Sequence, residues 1–378
     1  MMQKTVVELG KLAKFASYCG AIIARWPEVY QYRKYTTTQR NQLMDPYSKF
    51  KDLTSITGAK KILITGSLGQ LGYGLATTLR KIYGNDMVIM TDIVKAQKDE
   101  KCEPFYYLNI LNQSAIDQIV VNHNIDTIIH FSALLSAVGE ANVPLALKVN
   151  AEGVQNILEV AKQHKTQIFI PSSIGAFGPT APLDNTPDLC VQRPRTIYGV
   201  TKVYAELLGE YYSERFDVDF RSLRFPGIIS VTQPGGGTTD YAVQIFYDAL
   251  TSGKHKCYLR QNSQLPMMYY ADCITSIISY LSAPAEKLTY RTYNVTGYSF
   301  TPEEIAAAIR KVMPNFEIEY EICPIRQKIA DSWPKSLDDT SARKDWNWRP
   351  LYDLQATVDM MFDLVKRQLI SEGKNITA

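Results

Sequence analysis

Apolar and polar positions follow two rhythms along most of this chain. Lys61-Ile62-Leu63-Ile64-Thr65 and Met87-Val88-Ile89-Met90-Thr91 are short apolar runs, the first ending in glycines and the second at Asp92. Thr127-Ile128-Ile129-His130-Phe131, Gln167-Ile168-Phe169-Ile170 and Asp219-Phe220-Arg221-Ser222-Leu223 repeat the theme. Between them lie helical patterns: one through Leu71, Leu75 and Leu79, then 113–123, 144–163 and 199–215. Runs that are apolar on both faces suit strands buried from both sides, and intervening helices supply the cover. The pattern predicts an α/β fold with a doubly wound parallel sheet.

Beyond about residue 226 the chain becomes richer in Pro, Gly and Tyr, with Gln233-Pro234-Gly235-Gly236-Gly237 as its sharpest break. A helix is expected at 241–252. Asp272 is expected to cap another that runs to Leu281. Thr301 and Glu304 have the spacing of a capping box for a third, at 302–312. This half is read as a smaller mixed α/β lobe. The expected division is a basic segment at 1–57, a nucleotide-binding domain at 58–230, a lobe occupying mainly 231–370 with some chain returning to the sheet, and a tail at 371–378.

Composition narrows the options. With 46% hydrophobic and 21% charged residues, the chain has an ordinary globular balance. Its net charge of +3 owes much to the first fifty residues, where eight Lys/Arg face only Glu8, Glu28 and Asp45. The remainder is near neutral, which argues against nucleic acid as a partner. Six scattered cysteines and four dispersed histidines offer no metal-ligand spacing, so no metal is expected. No apolar run is long enough to span a membrane. The basic, acid-poor N-terminal segment is read as a mitochondrial (matrix) transit peptide, with a cytoplasmic location as the alternative.

Three features carry chemistry. Thr65-Gly66-Ser67-Leu68-Gly69-Gln70-Leu71-Gly72 joins the first strand to the first helix. In such a turn Gly66 permits the bend and Gly69 lets backbone approach a pyrophosphate. Gly72 lets helix and strand close up, and the helix N-terminus supplies oriented N–H groups. This places the sheet in the Rossmann type. Asp92, 26 residues beyond Gly66, stands where a carboxylate accepts both adenosine-ribose hydroxyls and repels a 2′-phosphate, favouring NAD over NADP. Finally, Tyr198 and Lys202 lie four apart at the start of a helix and so share a face. A nearby ammonium is expected to lower the phenol's pKa toward the range of a working base. The same Tyr-x-x-x-Lys spacing recurs at Tyr30/Lys34 and Tyr47/Lys51. Only position marks out the third copy, which follows the strand ending in Ser172-Ser173, where a hydroxyl can hold a substrate oxygen against Tyr198. Either serine can serve, with spacing leaning toward Ser173. His130, on an apolar strand, is read as structural.

From Lys60 to near Gln368 the chain resembles the extended short-chain dehydrogenase/reductase family. The pieces fall in matching order: the glycine turn, Asp92, Asn150 in Lys148-Val149-Asn150-Ala151-Glu152-Gly153, Ser172-Ser173 with Gly175-Ala176-Phe177-Gly178, Tyr198/Lys202, and Arg224-Phe225-Pro226-Gly227. The resemblance implies NAD as cofactor, held by Gly66, Leu68, Gly69, Gln70, Leu71, Gly72, Asp92, Ile93, Asn109 and Ile110. Ser132, Ala133, Asn150, Tyr198, Lys202, Pro226 and Ile228 complete that set. Asn109 departs from the family's usual Asp against the adenine amino group, although its amide oxygen still accepts. The catalytic set implied is Tyr198, Lys202 and Ser173 or Ser172. A homodimer built on the helices around 144–163 and 199–215 is the family expectation.

Narrower stretches resemble the branch that oxidises the C3 hydroxyl of L-threonine to 2-amino-3-ketobutyrate, for conversion to glycine and acetyl-CoA. They are Phe131-Ser132-Ala133-Leu134-Leu135-Ser136, Gln192-Arg193-Pro194-Arg195-Thr196-Ile197-Tyr198-Gly199, Pro234-Gly235-Gly236-Gly237-Thr238-Thr239-Asp240-Tyr241 and Asp331-Ser332-Trp333-Pro334. That resemblance implies substrate contacts from Ser136, Ser173, Tyr198, Thr239, Asp240 and Trp333. Asp240 can accept from an ammonium, or can instead cap a helix; Trp333 can shield the site, or can instead be core. Two other functions share the motifs. A nucleotide-sugar epimerase or dehydratase would need cations for a diphosphate, and Lys254, Lys256 and Arg260 are available. A non-catalytic NAD-sensing module would not need the tyrosine and lysine that are present.

Overall fold

A computed structural model describes residues 60–96, 102–232, 235 and 237–376. The basic segment at 1–57, with its two further Tyr-x-x-x-Lys copies, lies outside the described residues, as do Gln233, Pro234 and Gly236 of the glycine-rich break.

The first half alternates as expected. It runs β1 (Ile62–Thr65), α1 (Gln70–Tyr83), β2 (Val88–Asp92), β3 (Phe105–Tyr107), α2 (Gln113–His123) and β4 (Thr127–His130). Short helices α3 (Ser136–Ala141) and α4 (Val143–Leu147) lead through a π-helical turn, Lys148–Glu152, into α5 (Gly153–His164). Then come β5 (Gln167–Phe169), β6 (Ser172–Ser173), α6 (Ile197–Phe216) and β7 (Phe220–Phe225). The single helix expected at 144–163 is thus interrupted, and a wide turn sits where Asn150 is buried.

Alternate strand residues serve opposite faces. Ile62, Ile64, Val88, Met90 and Ile129 pack with α1 on one side of the sheet. Leu63, Ile89, Ile128 and Ile168 pack with α2, α5 and α6 on the other. The sheet order is β11 (Thr292–Asn294)-β7-β5-β4-β1-β2-β3, with β6 beside β7 and every pairing parallel. Strand order reverses between β1 and β4, so a crevice opens beyond their C-terminal ends. Ligands bind at such a point in sheets of this kind.

The remaining elements are β8 (Gly227–Ile229), α7 (Tyr241–Ser252), β9 (Lys254–Cys257), β10 (Leu265–Tyr269), α8 (Tyr270–Ser282), β11 (Thr292–Asn294), β12 (Tyr298–Phe300) and α9 (Pro302–Val312). After them follow β13 (Glu317–Tyr320), α10 (Pro324–Ala330), α11 (Thr340–Asp345) and α12 (Leu354–Ser371). Strands β12-β10-β8 and β13-β9 form two small sheets around a core filled from α7, α9 and α12. The chain returns to the main sheet through β11 and through α8, whose apolar face joins the α1 side. The capping box at Thr301/Glu304 forms in full.

Asp272 does not cap α8, which starts at Tyr270. Its carboxylate lies inside the first turn, fully buried, and accepts from the backbone N–H groups of Leu351 and Tyr352. A long-range need for a buried acceptor overrides the local capping pattern here. Among the described residues, no helix is long and apolar enough to cross a membrane.

Candidate active site

The glycine turn is shaped by contacts that leave no room for side chains. Gly66 has φ +65°, and a Cβ there would lie 2.7 Å from the Ser132 nitrogen. At Gly72 a Cβ would meet the Gly66 carbonyl oxygen at 2.4 Å. Leu68 and Leu71 turn into the α1-side core, and the Gln70 side chain donates to Ser230 Oγ across the crevice at 2.5 Å. Asp92 ends β2 with one carboxylate oxygen accepting from Leu68 N at 3.0 Å and the other from Val94 N at 3.1 Å. These backbone donors hold the carboxylate at the end of β2, beside the glycine turn. Asn109 is similar: its amide oxygen accepts from Leu111 N at 3.0 Å. Ile93 is exposed beyond the strand, whereas Ile110 is buried. The closely packed glycines at a helix N-terminus, with an acid at the next strand end, fit a dinucleotide.

Across the crevice, the loop after β4 carries Ser132 and Ala133. Asn150 clamps it: the side-chain oxygen accepts from Leu134 N at 2.8 Å, and the amide nitrogen donates to Leu134 O at 2.9 Å and Thr201 Oγ1 at 3.3 Å. Asn150 therefore acts on the site through this loop. His130 is buried, with Nδ1 2.8 Å from Thr65 Oγ1. Burial, aided by the charge of Lys202, pushes its pKa down to about 3, so it stays neutral at working pH.

Helix α6 starts where Thr196 accepts from Gly199 N, which sets Tyr198 in the first turn. Tyr198 stands beside Ser173, whose proximity favours the phenolate, and Ser173 Oγ accepts from Gly175 N at 3.1 Å. Ser172 is engaged elsewhere, donating to Glu206. Lys202 Nζ lies 5.4 Å from the Tyr198 ring centroid and donates to Pro171 O at 2.6 Å.

The electrostatics differ from the simple expectation of a lysine-lowered tyrosine. Burial pushes Tyr198 up to about 12, with the neighbouring Ser173 opposing. Burial also pushes Lys202 down to about 8, with Glu206 opposing. Desolvation disfavours both charged forms and wins in the protein alone. A working phenolate needs added positive charge at the site, and the α6 N-terminus supplies only part of it.

The other expected residues are distributed over the two lobes. Pro226 and Ile228 flank Gly227, over which Thr239 packs: a Cβ on Gly227 would lie 2.9 Å from Thr239 Cγ2. Ser136 opens α3 and is half-buried. Asp240 occupies the N-cap position of α7, yet its side chain makes no cap bond there and accepts from Gly237 N at 2.6 Å. Trp333 is buried in the lobe core at 8% exposure. Lys254, Lys256 and Arg260 are each exposed and paired, with Glu317, Glu321 and Asp331. Sequence reasoning missed the buried group around Glu206, which joins Arg224, Gln192 and Ser172. The four-residue step from Lys202 to Glu206 was the available signal.

A parallel sheet with a glycine cradle at its switch point and a Tyr/Lys/Ser set beyond it defines a nucleotide-dependent oxidoreductase or epimerase class. The family profile described as the NAD dependent epimerase/dehydratase family matches residues 62–296, and the chain belongs to that family. It is 54% identical over 306 residues to "L-threonine 3-dehydrogenase, mitochondrial" of Bos taurus, covering 80% of this chain and 82% of that protein. Among solved structures, L-threonine dehydrogenase from Phytophthora infestans superposes with TM-score 0.79 at 49% identity, covering 82% of this chain and 100% of the other. That from Clostridium difficile gives TM-score 0.80 at 46% identity, covering 82% and 99%.

Proposed function

We propose that this protein catalyses the NAD-dependent oxidation of the C3 hydroxyl of L-threonine to 2-amino-3-ketobutyrate. The observation that carries the chemistry is the meeting of Tyr198, Ser173 and Lys202 beyond the glycine cradle. The substrate is supported by extensive identity to proteins named for threonine oxidation.

When bound, NAD⁺ supplies the hydride acceptor and a positive charge near the phenol. Gly66, Gly69 and Gly72 give its pyrophosphate a close backbone approach, and Asp92 holds the adenosine ribose. Asn109 accepts from the adenine. Ser173 orients the C3 hydroxyl, and Tyr198 takes its proton as the C3 hydrogen leaves with its electron pair. Lys202 holds the phenolate's charge down. Thr239 and Ser136 bound the amino-acid pocket. Asp240 orders the Gly237 turn there and offers a carboxylate toward the ammonium, and Trp333 seals the lobe behind. The nucleotide-sugar alternative is less supported: Lys254, Lys256 and Arg260, the cations available for a diphosphate, each pair with an acid on the lobe surface.

Two further expectations belong with this reading. Val200, Leu207 and Tyr211 are about half exposed along one stripe of α6, at 48%, 58% and 52%. This apolar stripe suits a second copy of the chain, giving a homodimer. A mitochondrial location is supported by the names of the relatives. An unprocessed N-terminus on protein recovered from cells would count against it.

The test is NADH absorbance on mixing purified protein, NAD⁺ and L-threonine, with Tyr198→Phe alongside. The expected result is NADH from the wild type, and a rate lower by at least about a thousandfold in the variant. NAD⁺ affinity should change little. Wild-type protein that binds NAD⁺ yet forms no NADH would overturn the substrate.

A further inference from the structure

Three consecutive residues of one segment each meet a different residue on one face of α6. Pro171 O accepts from Lys202 Nζ at 2.6 Å, the Ser172 hydroxyl donates to Glu206 Oε1, and Ser173 stands beside Tyr198. Residues 198, 202 and 206 are spaced by four, so they stack along the helix. Glu206 lies at the inner end of this row and is only 2% exposed.

Its carboxylate is fully engaged. Oε1 also accepts from Arg224 Nε at 3.0 Å; Oε2 accepts from Arg224 Nη2 at 2.8 Å and Gln192 Nε2 at 2.9 Å. Arg224 reaches further, donating through Nη1 to Asp188 O at 2.6 Å and Asn294 Oδ1 at 3.4 Å. In the sheet, Ser172 pairs with Arg224 and Ser173 with Phe225, directly before Pro226-Gly227. One carboxylate therefore ties α6, the Ser172-Ser173 segment, the loop holding Gln192, and the strand that leads to the nicotinamide end of the crevice.

We propose that Glu206 is a positioning residue for the reaction, acting through Ser172, Gln192 and Arg224 to hold Pro171–Ser173 in the register at which Lys202 and Tyr198 meet it. The proposal rests on the threonine-oxidation reading above. It has a structural and an electrostatic consequence. The tether keeps Ser173 and Tyr198 aligned, and a displacement of about 1 Å in such an arrangement can cost about a hundredfold in rate. The charge also favours the ammonium form of Lys202, against burial. Lys202 is faced by Glu206 from its own helix and by neutral His130 from β4, while Asn150 and Thr201 line the same small cavity. Around Glu206 stand Arg224 from β7, Asp188 and Cys190 from the preceding loop, and Glu210 one turn along α6. Arg224 bonds the Glu206 carboxylate through Nε and Nη2 and otherwise donates to Asp188 O and Asn294 Oδ1, so it is the cation that loses its carboxylate partner if Glu206 loses its charge.

The deciding experiment measures kcat and kcat/KM against pH for wild type, Glu206→Gln, Glu206→Gln with Arg224→Met, and Glu206→Asp. Alongside, ¹⁵N-lysine NMR follows the Lys202 titration in the cofactor-free protein. Glu206→Gln should move the alkaline limb and the Lys202 titration down by about one pH unit. The charge-balanced double variant should regain about half of that shift, which lost packing alone cannot produce. Glu206→Asp keeps the charge and shortens the reach. It should leave the limb within about 0.3 unit while kcat falls about tenfold and KM changes little. If Glu206→Gln fails to fold, the Asp variant carries the test. An unmoved Lys202 titration in Glu206→Gln, or unchanged kcat in Glu206→Asp, would overturn the proposal. Wild-type protein that makes no NADH from threonine would defeat the substrate assignment instead, and the NMR titration would still test Glu206.

Discussion

Ser172 and Ser173 are neighbours of the same type, and sequence alone leaves them nearly equivalent as partners for Tyr198. Both meet α6, and what separates them is which turn of the helix each one reaches. Ser173 faces the phenol, and Ser172 faces the buried Glu206 carboxylate. Their alanine variants should therefore fail differently. Ser173→Ala should lower kcat by about a hundredfold or more with little change in melting temperature. Ser172→Ala should keep kcat within about tenfold of wild type and cost about 1–3 kcal/mol of stability, because a buried carboxylate loses a donor. Steady-state rates with thermal melts on both variants check this, and equal rate losses would refute it. At this scale the sequence supplied the residue types and spacings of the site. It did not supply the protonation balance, because desolvation depends on what packs over Tyr198 and Lys202.

Elements differ in how much of themselves they disclose. The helix at 241–252 and the capping box at Thr301/Glu304 come out where local pattern places them, since apolar period and cap chemistry are short-range. The stretch 144–163 looks like one helix because its apolar spacing is nearly continuous, yet Asn150 sits in a wide π turn and clamps the loop after β4. Such turns often mark functional positions. The turn from β1 to α1 is tightly constrained. In Gly72→Ala the new Cβ would approach the Gly66 carbonyl oxygen to 2.4 Å, and that backbone has nowhere to retreat. The variant is expected to lose about 1–3 kcal/mol and most of the NAD⁺-induced rise in melting temperature. A full NAD⁺-induced shift in that variant would show that the turn is not the pyrophosphate cradle.

Over the whole molecule, the two lobes are stitched together, since α8 and β11 return to the main sheet after β8 and β10 have built part of the lobe. Self-association belongs to this scale too. Leu207→Glu places a charge in the exposed apolar stripe of α6, away from the crevice face that carries Tyr198 and Lys202. Sedimentation at micromolar concentration should show a dimer for the wild type and a monomer for the variant, and a monomeric wild type would refute the dimer. Period-two and period-3.6 hydrophobicity, glycine spacing and the Tyr-x-x-x-Lys step are local properties of a chain. They sufficed to establish the α/β class and the parallel sheet, and to propose the nucleotide turn and the catalytic pair. Folding settled what local pattern cannot carry: which serine faces the phenol, where Asp272 finds its donors, that Lys254, Lys256 and Arg260 are already paired, and that Glu206 lies beneath the site. Each depends on groups far apart in sequence brought together by the fold, and for Asp272 and Glu206 burial makes an unpaired charge or donor too costly to leave unmet.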